Sequence, residues 1–160
     1  MRHRFRQFRD ATTLPSAADY DFARTHLPGP MFDLFAAQHP RDIVHSTGTA
    51  RWLISHGEPD PHLIAAALLH DIGKGPQRRV DRVAFVLAGH LGLAHIAAGR
   101  ASRFELRRAI ARSADHSESG ARILAAAGAS ARVVNLTRLH HAPPHGDPVL
   151  ALLQQADAAN

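Results

Sequence analysis

His70 and Asp71 stand side by side in Leu68-Leu69-His70-Asp71-Ile72-Gly73-Lys74, at the end of an apolar helical stretch. An adjacent imidazole and carboxylate supply two ligands of different charge to one divalent metal. A second imidazole, His45, lies one predicted helix upstream, and a second carboxylate, Asp157, lies near the C-terminus in Gln154-Gln155-Ala156-Asp157. Cysteine is absent, which excludes disulfides, thiolate metal sites and cysteine nucleophiles. Any metal must therefore be held by nitrogen and oxygen. Thirteen histidines make such a site plausible in advance.

A bundle of helices can bring these four residues together. No period-2 alternation is sustained over several residues, whereas helix punctuation recurs throughout. A short helix is expected over Ser16–His26, with Ser16 as its cap, and a second near Pro30–Gln38 with Met31, Leu34 and Phe35 as its apolar stripe. The next begins at Pro40–Asp42, ends at Gly57 and aligns His45, Thr49, Trp52 and His56 on one stripe. Asp60-Pro61 is an N-cap followed by proline at the first helical position. That helix is expected to present Leu63, Ala67 and His70 on one face and to stop at Gly73, with Lys74–Arg79 as a loop. Val80–Ala98 and Ser102–Arg112 read as helices. Asp115 is expected to cap another, with Glu118 three residues on as its capping-box partner, and Gly128 ends it. Ser130 caps a helix running to about His141. Asp147-Pro148 opens the last helix, where Leu150, Leu153 and Asp157 share a face at i, i+3 and i+7. An unpaired carboxylate on a core-facing side would be costly, and a cation removes the difficulty.

The order His45 … His70-Asp71 … Asp157 resembles the signature of the HD superfamily of metal-dependent phosphohydrolases, over about Arg41–Asn160. That resemblance implies an all-α fold, an HD-domain bundle of seven or more helices. It divides the chain into residues 1–39, a basic arm and short helices packed on the same domain, and residues 40–160, the HD domain. A second set, His116-Ser117-Glu118-Ser119-Gly120 with the later His140-His141, is similar to the HD-GYP subgroup, although the Gly-Tyr-Pro element itself is absent. Carried over, the resemblance places His45, His70 and Asp157 on one metal and His116, His140 and His141 on another, with Asp71 bridging. Val133, Thr137 and His140 or His141 share a helical face, which is consistent with that assignment. The implied cofactors are two divalent transition ions, drawn from Fe, Mn, Ni, Co and Zn.

Two cations roughly 3.5–4 Å apart lower the pKa of a water held between them, so the implied activity is hydrolysis of a phosphate ester by a metal-bridging hydroxide. Asp71 would position that nucleophile. Lys74, one turn later and the chain's only lysine, would reach a phosphate oxygen. Arg41, Arg78, Arg79 and Arg138 are further candidate phosphate clamps. The expected partner is a phosphorylated small molecule, a nucleotide or a relative. The same ligands would also suit a di-iron oxygenase, and a slow but intact site would suit a nucleotide- or signal-binding module.

Hydrophobic residues make up 45% and charged residues 21% of 160 residues, ordinary for one globular domain. The net charge of +5 comes almost wholly from arginine, and it would steer phosphorylated molecules toward the protein. The arm with Arg2, Arg4, Arg6 and Arg9 offers nucleic acid a contact, though a solvated tail is the simpler reading. Met1–Arg9 lacks the apolar core of a signal peptide, and Val83–Ala98 is too short and interrupted to span a bilayer, so a cytoplasmic location without membrane contact is expected. Histidines 3, 26, 39, 62, 90, 95 and 145 carry no comparable pattern. The oligomeric state is not specified by any of these features.

Overall fold

A computed structural model describes residues 14–58, 60–74 and 115–160. Within these lie seven α-helices and no strand: α1 (Ala17–His26), α2 (Gly29–Ala36), α3 (Pro40–Ser55), α4 (Pro61–Leu69), α5 (His116–Ala126), α6 (Ala131–Leu139) and α7 (Pro148–Ala159), with a 3₁₀ turn at Ile72–Lys74. The helices expected over Val80–Ala98 and Ser102–Arg112, the arginine-rich arm, Arg78 and Arg79 lie outside the described residues. No helix among the described residues is long and apolar enough to cross a membrane.

The predicted starts hold where a side chain can reach its own helix. Asp60 accepts from the His62 amide, Ser130 from the Val133 amide, and Asp147 from the amides of both Val149 and Leu150. At α1 the carboxylate of Asp19 reaches back to the Ser16 amide and hydroxyl, at 2.8 and 2.7 Å. Gly57 and Gly128, at φ 85° and 79°, end α3 and α5 in left-handed turns. In each, the residue after the glycine donates back five positions, Glu58 to Leu53 and Ala129 to Leu124, which satisfies a carbonyl the helix leaves open.

The expected capping box at Asp115 does not form. Its backbone sits at φ −111°, ψ 10°, away from the extended conformation that aims a cap oxygen at the N2 and N3 amides, and it makes no side-chain cap hydrogen bond. Glu118 instead accepts from Arg122 on its own helix and from Arg138 of α6.

α4 is the centre of the bundle. Every residue from Leu63 to Leu69 is buried, because α1, α3, α6 and α7 all pack on it. The single buried face expected from Leu63, Ala67 and His70 is thus replaced by burial all round, the fate of a helix that is apolar on every side. Its three central alanines (Ala65, Ala66, Ala67) let neighbouring helices approach closely. The α-helix also stops earlier than Gly73. It ends at Leu69, turns at His70-Asp71 and closes into the 3₁₀ turn, in which Lys74 donates its amide to the Asp71 carbonyl. Lys74 is therefore the last residue of a turn rather than the first of a loop.

α1 is clamped to α3 through Asp19, which accepts from Arg51 at 2.6 Å. Burial alone would raise this carboxyl, but the Ser16 donors and the Arg51 charge outweigh it and hold it below 3.8. We expect Asp19→Asn to destabilise the fold by about 1–2 kcal/mol at neutral pH, the scale of lost charged hydrogen bonds. Because the folded value is lowered, this contribution is full above the unfolded value of 3.8 and fades as pH falls through the folded one. Urea unfolding of both proteins at pH 7 and near pH 3 checks it: the gap between them should narrow in acid.

Candidate metal centre

The ends of helices supply most of the site. α3 contributes His45 from its second turn, α4 ends on His70, and the following turn carries Asp71. α5 opens with His116, α6 ends on His140-His141, and the last turn of α7 carries Asp157. All seven predicted ligand positions are thus brought to one place.

They form two groups. His45, His70 and Asp157 each offer a donor atom within 4.8 Å of the others, and so do His116, His140 and His141. In the first group His45 Nε2 donates to Asp157 Oδ1 at 2.8 Å, and His70 Nε2 lies 3.3 Å from the same oxygen. In the second, His116 Nε2 lies 3.3 Å from His140 Nε2 and 3.0 Å from His141 Nε2.

Asp71 sits between them, with its side chain only 3% exposed. Its Oδ2 faces the first group, 3.6 Å from His70 Nε2 and 4.0 Å from His45 Nε2, and also pairs with the Lys74 ammonium. Its Oδ1 faces the second, 3.6 Å from His116 Nε2 and 3.9 Å from His140 Nε2. One carboxylate therefore addresses both groups with different oxygens.

α4 and α6 end alike. Each is nine residues long and closes on a histidine, His70 or His140, whose Nδ1–H donates to the carbonyl three residues back, Ala67 at 2.9 Å or Thr137 at 2.7 Å. A carbonyl can only accept, so Nδ1 carries a proton in both rings and Nε2 faces the centre, where it can ligate a metal once it gives up any proton of its own. In each case the next residue, Asp71 or His141, supplies the second donor. Both helices also direct the partial negative charge of their C-termini at the site, which favours cations there. This parallel between the two helices escaped the sequence reading, because His-Asp and His-His look unlike as dipeptides.

Burial opposes ionisation of Asp71 and Asp157, but the positive charge of His70, Lys74 and His45 around Asp71 holds it well below the carboxylate range. The hydrogen bond from His45 and the charge of His70 do the same for Asp157. Burial also disfavours a charged His70, yet the two carboxylates outweigh it and raise the imidazole to about 9. His140 goes the other way: burial, then the neighbouring His70 and His141, lower it to about 3. Burial likewise lowers His141. The buried Nε2 of His70 makes no hydrogen bond. A buried donor atom without a hydrogen bond, beside two ionised carboxylates and a neutral His140, fits a divalent cation bound by nitrogen and oxygen.

Two glycines make the juxtaposition possible. A Cβ on Gly73 would overlap the carbonyl oxygen of His116, and one on Gly120 would lie 3.2 Å from the Gly73 amide nitrogen. The 3₁₀ turn thus rests directly on the first turn of α5, which carries Asp71 up to His116.

The HD domain family matches this chain over residues 42–159, nearly the whole of the region that carries the site. The chain belongs to the HD domain family. No curated protein and no solved structure matches it. As an HD domain it belongs to a superfamily of metal-dependent hydrolases, and its histidine-rich groups could hold divalent metal.

Other candidates of the HD domain are placed differently. Lys74 is 28% exposed and leans on Asp71. Arg138, a candidate phosphate clamp, is committed to Glu118 at 3.0 Å and Asn135 at 2.9 Å. Arg41 is half-buried near the start of α3. His26 packs on Phe22, His39 caps α3, and His62 meets Ser130, and none of them belongs to either group. Gln154, one turn before Asp157, was not singled out by any sequence pattern, yet its amide reaches the backbone at His140 and Ala142.

Proposed function

We propose that this HD domain is a phosphohydrolase that uses two divalent ions to cleave a phosphate ester of a nucleotide or a related phosphorylated small molecule. The observation that carries this reading is the division of the Asp71 carboxylate, Oδ2 toward His45 and His70 and Oδ1 toward His116 and His140. His45, His70 and Asp157 would hold one ion, and His116, His140 and His141 the other, with Asp71 shared. Such ions, when bound, supply an acidified water and screening of the phosphoryl oxygens.

The chain's own groups account for the rest. The Nδ1–H bonds of His70 and His140 fix both rings before any ligand arrives, so little reorganisation is needed. Asp71, ionised and enclosed, can orient a water by accepting a hydrogen bond from it. Lys74 stands at the more exposed edge of the site with its charge beside Asp71, where it can meet a substrate phosphate oxygen. The arginine-rich net charge draws anionic substrates inward.

The test is metal analysis of protein purified without chelator, followed by phosphate release from a panel of nucleotides and phosphate esters with Mn²⁺ or Fe²⁺. We expect about two equivalents of metal per chain and hydrolysis that a chelator abolishes and added metal restores. Metal uptake without release of phosphate from any member of the panel would count against hydrolysis and favour a binding module. Oxygen consumption tied to substrate oxidation would favour the oxidative chemistry of a di-iron site.

A further inference from the structure

α7 carries two polar side chains toward the site, and the two groups do not receive them equally. Asp157 belongs to the first group. Gln154, three residues earlier on the same helix, reaches the other: its Nε2 donates to the carbonyl of His140 at 3.1 Å and to that of Ala142 at 2.6 Å. Those two carbonyls bracket His141. They lie just past the end of α6, where a helix leaves carbonyls without partners of its own. The carboxamide of Gln154 offers two N–H donors on one nitrogen, enough for both.

α6 is otherwise tied to α7 by polar contact at the opposite end, where Arg132 meets Asp147 at 3.0 Å. That contact lies two turns of helix from His140 and cannot fix the rotation of the His140-His141 turn. Gln154 can, since it holds the carbonyl on either side of His141 to the helix that carries Asp157.

We propose that Gln154 is a positioning residue that sets the His140-His141 turn against the first group and so builds the second metal subsite. The inference rests on the two-ion reading above. The hydrogen bonds of Gln154 go to backbone carbonyls, so its effect on metal passes through the backbone it holds. Its loss should leave His45, His70 and Asp157 as they are and loosen His140 and His141 relative to His116 and Asp71.

The test is titration of metal-free protein with Co²⁺, followed by visible absorption and equilibrium dialysis, for the unmodified chain and two variants. Gln154→Met keeps length without donors. Gln154→Glu keeps shape and places an acceptor against two acceptor carbonyls. In both variants we expect the first equivalent of Co²⁺ to bind as in the unmodified chain and the second about 10–100-fold more weakly, the scale for lost outer partners of metal ligands. In Gln154→Glu the added negative charge would by itself strengthen cation binding, so weakening there comes from the turn, through the lost donors and the repulsion between carboxylate and carbonyls. Equal binding of both equivalents in the variants overturns the inference, as does an equal loss of both. A single equivalent in the unmodified chain overturns the two-ion reading and the inference with it.

Discussion

Asp71→Ala is expected to remove metal-dependent hydrolysis, with a fall on the order of 10³-fold or more. Among the described residues no other side chain faces both donor groups with separate oxygens, so one substitution withdraws a ligand from each. The same change removes the charge that, together with Asp157, keeps His70 raised to about 9. It also takes the partner from the Lys74 ammonium. Metal content should drop below that of the unmodified protein, while circular dichroism should stay helical, because α4 is buried by its apolar residues rather than by Asp71. Retention of full phosphate release by Asp71→Ala would refute the proposed chemistry.

Gly73→Ala should have the largest structural effect for its size. The added methyl meets backbone, the His116 carbonyl and the Gly120 amide, rather than the end of a flexible side chain. Gly73 does not adopt a positive φ, so alanine is acceptable to its own backbone and the cost is purely steric. Relief requires the 3₁₀ turn and α5 to separate, at about 3 kcal/mol, the upper part of the range for overpacking. In a chain of this size that is roughly a 6–12 °C fall in Tm. Separation also draws Asp71 Oδ1 away from His116 and His140, so loss of the second metal should accompany loss of stability. Gly120→Ala, whose new methyl would meet its neighbours at 3.2 and 3.3 Å, should be milder. Thermal unfolding and Co²⁺ stoichiometry of both variants check this. A Gly73→Ala protein that melts with the unmodified one and binds metal equally would show that the turn is not held as described.

The local signals along the chain proved readable because each is a contact between near neighbours. Asp60, Ser130 and Asp147 meet amides two or three residues away, and Gly57 and Gly128 take the positive φ that closes their helices. Asp115 and Glu118 have the same spacing, yet no box forms. There the Arg138 guanidinium from α6 competes for Glu118, a contact no local pattern contains. The early end of α4 has the same origin, since α5 presses on Gly73 from a distance in sequence.

What the sequence determined alone was the chemistry available: nitrogen and oxygen ligands without thiolate, on helices whose caps and stops are written within a few residues. The order of His45, His70-Asp71 and Asp157 was enough to point to the HD family, since donor atoms belong to residue types. Only the tertiary structure decided how those donors divide. His45 meets Asp157 across 112 positions, and His70 and His140 bring their rings within 5.1 Å from helices far apart in the chain. It likewise decided that α4 is buried all round, that Lys74 rests on Asp71, and that Gln154 holds the turn at His141. Such relations depend on how helices pack, and packing is fixed by shape and burial summed over the whole core rather than by any short run of residues.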